Sequence, residues 1–154
     1  LHRVDRRQRQ MCIRDRFYFN RGSLDVGAEW QDKSIILLTN ETQSISITYD
    51  KIPFGMVFKE FVEREINSLS RQLTNFKELS RQEITLDGIN SVLTEFTWDS
   101  PKGQFHQLTA IIDVEEKLPL IITATVVGQM SPNQKETLLS TIKTFKAQHT
   151  ENDR

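Results

Sequence analysis

Read for its hydrophobic pattern, the chain changes period twice. "FYFNRGSLDV" (17–26) predicts a strand with a break at Gly22. "KSIILLT" (33–39) is apolar on both faces, and "QSISITYD" (43–50) alternates, with Ile45, Ile47 and Tyr49 on one side. In "PFGMVFKEFVEREINSLSRQLTN" (53–75), Phe58, Phe61, Val62, Ile66, Leu69 and Leu73 recur at three- and four-residue spacing, the stripe of an amphipathic helix. Strand-like runs return over 76–98, where Asp87-Gly88 marks a tight hairpin turn, and continue through 105–116 and 118–128. A second helix is predicted over 131–148, with Ser131 as N-cap, Pro132 in the first turn, Gln134 closing a capping box and Leu138, Leu139, Ile142 and Phe145 facing inward.

The predicted order is β-β-β-α-β-β-β-β-α. It implies an α+β fold, with two main helices against one face of an antiparallel sheet. On strand 105–114, Leu108, Ala110, Ile112 and Val114 oppose Phe105, Gln107, Thr109, Ile111 and Asp113. On strand 120–127, Leu120, Ile122, Ala124 and Val126 oppose Ile121, Thr123, Thr125 and Val127. The first set suits a helix-covered core. The second mixes aliphatic residues with Thr and Gln, and suits either an apolar segment that also needs hydrogen bonds or burial under a loop or dimer partner.

Charge is uneven. The chain of 154 residues has a net charge of -1, yet "RRQRQMCIRDR" lies within a first sixteen residues that carry six Arg against two Asp. Residues 6–15 back-translate to CGT CGG CAG CGT CAG ATG TGT ATA AGA GAC, which resembles a transposon-type sequencing adapter. Residues 1–16 are therefore expected to be a non-native tail, and the natural start to lie outside this sequence. The remaining domain is expected to span 17–148, with 149–154 frayed. Without the tail, no basic arm remains for nucleic acid and no cysteine for thiol chemistry. No metal-binding motif, phosphate loop or nucleophile elbow occurs, so neither an enzyme nor a cofactor is expected. His106 is expected to be packed or at the surface, not catalytic, and no run is long enough for membrane insertion.

Taken together, "YFNRGSLDV", "EWQDKSIILLT", "ITLDGINSVLTEFTW", "GQFHQLTAII" and "LLSTIKTF" resemble the DcrB-like family, whose fold is similar to PsbP and Mog1. Within it the chain looks most like the Eag-type chaperones of type VI secretion. That resemblance implies a curved sheet in a cytoplasmic homodimer that shields the apolar N-terminal helices of a secreted Rhs or prePAAR effector. Carried over by position, it implies client contacts at Ile35, Leu37, Ile47, Leu93, Gln107, Thr109, Ile111, Thr123 and Thr125. One departure is visible: "VGAEW" lacks the proline expected before Trp30. The alternative is a periplasmic or lipid-anchored DcrB-like envelope protein of the same fold. A Mog1-like partner-binding module is a third reading.

Overall fold

The computed structural model describes residues 16–148. The expectations for residues 1–15 and 149–154 lie outside the described residues. Within them the chain divides between Ser34 and Ile35 into two compact units.

The first unit contains a hairpin of β1 (Arg16–Phe19) and β2 (Gly22–Asp25), with Phe19 opposite Gly22. The single broken strand predicted here is thus a hairpin. Its turn falls at Asn20-Arg21, with Arg21 at φ 77°, instead of at Gly22. Arg16 bonds Asp25 at 2.6 Å and Ser23 at 2.7 Å across the pair.

The second unit is an open six-stranded antiparallel sheet ordered β3-β4-β8-β7-β6-β5. Its strands are β3 (Ile35–Asn40), β4 (Gln43–Tyr49), β5 (Lys77–Leu86), β6 (Ile89–Ser100), β7 (Gly103–Glu115) and β8 (Leu118–Val127). Strands β5 to β8 form a meander of hairpins. The β5–β6 turn has Asp87 and Gly88 both at positive φ, 53° and 76°, as the Asp-Gly signal requires. Since β4 and β5 run in the same direction, they need a crossover, and helix α1 (Phe58–Gln72) supplies it. Glu60 reaches back to accept the N–H of Val57 at 3.0 Å and starts that helix. Helix α2 (Pro132–Lys143) starts on the predicted box: Ser131 Oγ accepts from Gln134 N at 3.1 Å, and Gln134 Oε1 accepts from Ser131 N at 2.9 Å.

The helices do not share a face. Phe61, Val62 and Ile66 of α1 pack on Ile111, with Val92 and Ile121 beside it. Leu138 and Ile142 of α2 pack on Leu93, Leu108, Ala110, Ile112, Ile122, Ala124 and Val126. Alternation within β7 therefore feeds both sides, and residues 108–112 are all buried. The one-face expectation fails because α1 crosses over one side of the sheet while α2, following β8, returns over the other. Arg81 of β5 holds α1 at the far edge, bonding Glu78 at 2.7 Å and Glu63 at 2.5 Å.

Both cores carry a direct test. Phe61 has no exposed surface, so Phe61→Asp is expected to cost more than about 4 kcal/mol and to abolish cooperative unfolding in a urea melt. Leu93 is also core, so Leu93→Ala should cost about 2–4 kcal/mol in the same melt.

Candidate functional site

The register assigns each candidate residue to a face. Opposite residues in an antiparallel pair share a side. Leu37 pairs with Ser46, Ser46 with Thr123, Thr123 with Thr109 and Thr109 with Thr94. One row over, Ser44, Thr125, Gln107 and Phe96 line up, and on the other side Ile35, Thr48, Ile121, Ile111 and Val92. The α1 face therefore gathers Ile35, Leu37, Gln107, Thr109, Ile111, Thr123 and Thr125. Leu93 pairs with Ala110 and Ile47 with Ile122, so these two lie on the α2 face. Leu93 is buried there, and Ile47 is packed against the same core. The expectation that Leu93 lines a groove with Thr109 and Ile111 is corrected by this one-residue offset.

Helix α1 covers only part of its face. Ile111 and Thr109 are buried; Gln107, Thr123 and Thr125 are half-buried; Ile35 and Leu37 are 64% and 62% exposed. What stays open is a strip rich in hydroxyls. Ser44, Ser46, Thr48, Thr123 and Thr125 run between the apolar edge at Ile35 and Leu37 and an aromatic pair at Trp98 and Phe105. Those two rings meet edge to face at 5.4 Å.

A hydrogen-bonded relay crosses three strands of this strip. Trp98 Nε1 donates to Gln107 Oε1 at 2.6 Å, and Gln107 Nε2 donates to Thr125 Oγ1 at 2.7 Å. Thr109 and Thr123 hydroxyls meet at 3.2 Å. Gln107, expected to face a ligand, is thus first a structural bridge. An amide has two acceptor sites and two donor hydrogens, so one of each remains for an incoming group. The sequence reading missed Trp98 as its partner. The alternation that put Trp98 with Phe96 was the available signal, once the β6–β7 register is known.

A second polar cluster lies under α2. Glu95 Oε2 is 2.7 Å from His106 Nε2, Lys135 Nζ is 2.8 Å from Glu95 Oε1, and His106 Nδ1 accepts the Met130 N–H at 2.9 Å. The bond from Met130 leaves Nδ1 without a proton, so Nε2–H donates to Glu95. His106 is packed, as expected, and ties the β8–α2 connection to the sheet. Burial pushes the Glu95 carboxyl up, but the bonds from Lys135 and His106 outweigh it and hold the pKa below the ordinary carboxylate value. Among the described residues no group of three or more His, Cys, Asp or Glu is placed to hold a metal ion, and no helix is long and apolar enough to cross a membrane.

The structure is an α+β domain with a meander sheet, a crossover helix and a polar cluster of sheet-face side chains. Comparison with known proteins gives its family. The DcrB family matches over residues 21–144, and the chain belongs to it. Among solved structures the chain is similar to PA94 of Pseudomonas aeruginosa, a protein of unknown function. The TM-score is 0.69 at 21% identity, over 88% of this chain and 97% of that one. It is also matched to the cyanobacterial PsbP of Synechocystis sp. PCC 6803, with TM-score 0.47 and 11% identity over 68% and 65% of the two chains. No curated protein matches.

The family assignment corrects two expectations. DcrB-family proteins are periplasmic or envelope-associated, which overturns the cytoplasmic location and favours the envelope alternative. The type VI secretion and Eag-type role is cut back with it to the coarser statement of a DcrB-family protein, since neither that family match nor PA94 names such a role.

Two measurements probe the clusters. Gln107→Ala should cost about 1 kcal/mol with the fold retained, and should shift Trp98 emission as its indole loses a partner. For Glu95, a folded pKa below the unfolded one means its stabilisation is complete above the unfolded value and is lost as pH falls through the folded one. Lys135→Met removes the main lowering contact. It is expected to raise the Glu95 pKa in an NMR titration and to move acid unfolding to higher pH.

Proposed function

We propose that this DcrB-family protein acts in the envelope as a non-enzymatic binding protein, and that it receives an apolar helical segment of a partner on the open strip beside α1. The observation carrying this reading is the composition of that strip. Apolar side chains flank it at Ile35 and Leu37, and between them and Trp98 lie hydroxyls and the Gln107 amide. A purely apolar groove left open to water is a hazard for aggregation, whereas Ser and Thr keep this one hydrated when empty. Covering apolar area gains roughly 25 cal/mol per Å2. The hydroxyls then meet backbone or small polar groups of the segment, which leaves no buried donor or acceptor without a partner.

The test uses a helical peptide of about 20 alanine and leucine residues with lysines at both ends, titrated against the full chain and read by Trp98 emission and calorimetry. Saturable binding is expected. Leu37→Asp and Thr125→Asp should each weaken it by roughly tenfold; Leu37 is exposed, so its variant should leave the urea midpoint unmoved. Absence of binding, or equal affinity in both variants, would overturn the reading.

A further inference from the structure

The joint between β8 and α2, residues 128–131, is fastened to the sheet by a titratable ring. It turns at Gly128, with φ at 88°, whose N–H donates to the Gln104 carbonyl at 2.6 Å, and it ends at Ser131, the N-cap of α2. Between them, Met130 N–H donates to His106 Nδ1 at 2.9 Å. Met130 and His106 are 6% and 4% exposed, so both are withdrawn from bulk water. A neutral imidazole has one nitrogen able to accept a hydrogen bond. In His106 that nitrogen serves Met130, and the other, Nε2–H, donates to Glu95 at 2.7 Å. A second proton therefore has one place to go, and the joint fills it. The protonated ring donates at both nitrogens, which would set two N–H groups against each other at Nδ1. Protonation of His106 and closure of the joint exclude one another.

The charges around the ring act in the same direction. Glu95 faces His106 from β6, and Lys135 of α2 reaches Glu95 Oε1 at 2.8 Å. Asp99, further along the same side of β6, accepts from Asn75 at 2.8 Å, and Lys77 of β5 stands behind β6, opposite Thr97. Glu136 of α2 is exposed. On the other flank, β8 and the joint carry no charged residue, and Val126 stands opposite His106. While the ring is neutral, Glu95 answers one cation. Once it is protonated, Glu95 must answer two. Lys135, its side chain 46% exposed, is the one able to turn out to water, and it belongs to the first turn of α2.

We propose that His106 is a proton-operated latch on α2. Neutral, it holds the joint and the start of the helix on the sheet. Protonated, it releases them and lifts Met130 from the α2-side core, while the sheet stays folded. The chain after the helix has its own tie, because the Ala147 N–H donates to Asp87 at 3.0 Å, so release opens one end of α2. Imidazoles take up their second proton in mild acid. There Glu95, held below the ordinary carboxylate value by Lys135 and His106, keeps its charge. The latch does not depend on the use proposed for the strip on the α1 face.

Amide exchange followed by NMR on the full chain, from about pH 8 to about pH 5, tests the latch. Each rate is divided by its intrinsic value, so that only protection is compared. Protection of the Met130 amide should fall by about tenfold per pH unit, the slope of one proton. Ala110 and Ile122, in the centre of the sheet, should keep theirs. The 15N signals of the His106 ring should show Nδ1 taking its proton over the same range. His106→Gln keeps an acceptor for Met130 and takes no proton, so its Met130 protection should be flat with pH. The measurements on the unaltered chain decide the matter even where that variant folds poorly. Met130 protection unchanged across the range, a protonated Nδ1 with Met130 still protected, or a slope that survives in His106→Gln would overturn the proposal. So would loss of protection at Ala110 and Ile122 together with Met130, since the whole domain would then be opening.

Discussion

One helix per face is too narrow for a six-stranded sheet. Six strands at about 4.8 Å spacing span roughly 24 Å, while a helix with its side chains is about 10–12 Å across. Everything distinctive in the second unit follows from this mismatch. Burial concentrates where the two helices oppose each other, on β6, β7 and β8, and falls away toward β3. A protein with this geometry has no means of hiding β3 and β4 with its own helices. It surrounds the uncovered rows with hydroxyls on β4 and β8, and leaves the aliphatic residues of β3 at the margin.

The polar groups near the centre obey the same geometry. Glu95 and His106 are buried by the start of α2, and Lys135 from its first turn reaches down to close the charge. Thr94, buried under α1, donates to Glu78 and the Ser80 carbonyl across the β5 bulge. No buried side-chain donor or acceptor among the described residues lacks a partner. A sheet covered on both sides excludes water from its middle strands, so each polar side chain there must be answered by another.

Much of this was legible in the residues. The 3.6-residue stripe gave α1 and α2, Asp87-Gly88 gave the β5–β6 turn, and alternation along β7 and β8 sorted side chains into two sets. What alternation cannot tell is which helix lies on which set. Both sets of β7 contain Leu or Ile, so either could meet a helix, and the choice is made by the crossover from β4 to β5. Leu93 and Ile47 fell on the unexpected side for a related reason: strand-to-strand register, absent from any one strand's pattern, decides which residues are neighbours. Asn20-Arg21 escaped because an arginine at positive φ leaves weaker evidence than the glycine beside it. The family resemblance was correct at the level of DcrB; at the finer level the cytoplasmic location was overturned, and the chaperone role was inferred beyond what the shared core positions encode.

The strand order also bears on how the domain assembles. Strands β5 to β8 are joined by successive hairpins, so their contacts close over short stretches of chain. The β4–β8 seam instead joins Ser46 to Thr123, 77 positions apart. Long loops close late, because their entropy is lost before the contacts repay it. The meander with α2 is then the part that can form first, with β3 and β4 laid onto a sheet already half built. The same seam, thin in buried apolar contacts, is where the native state opens most readily. The margin that the helices leave uncovered is also the last piece to arrive and the first to loosen, so an incoming strand or segment would complete the sheet's own folding.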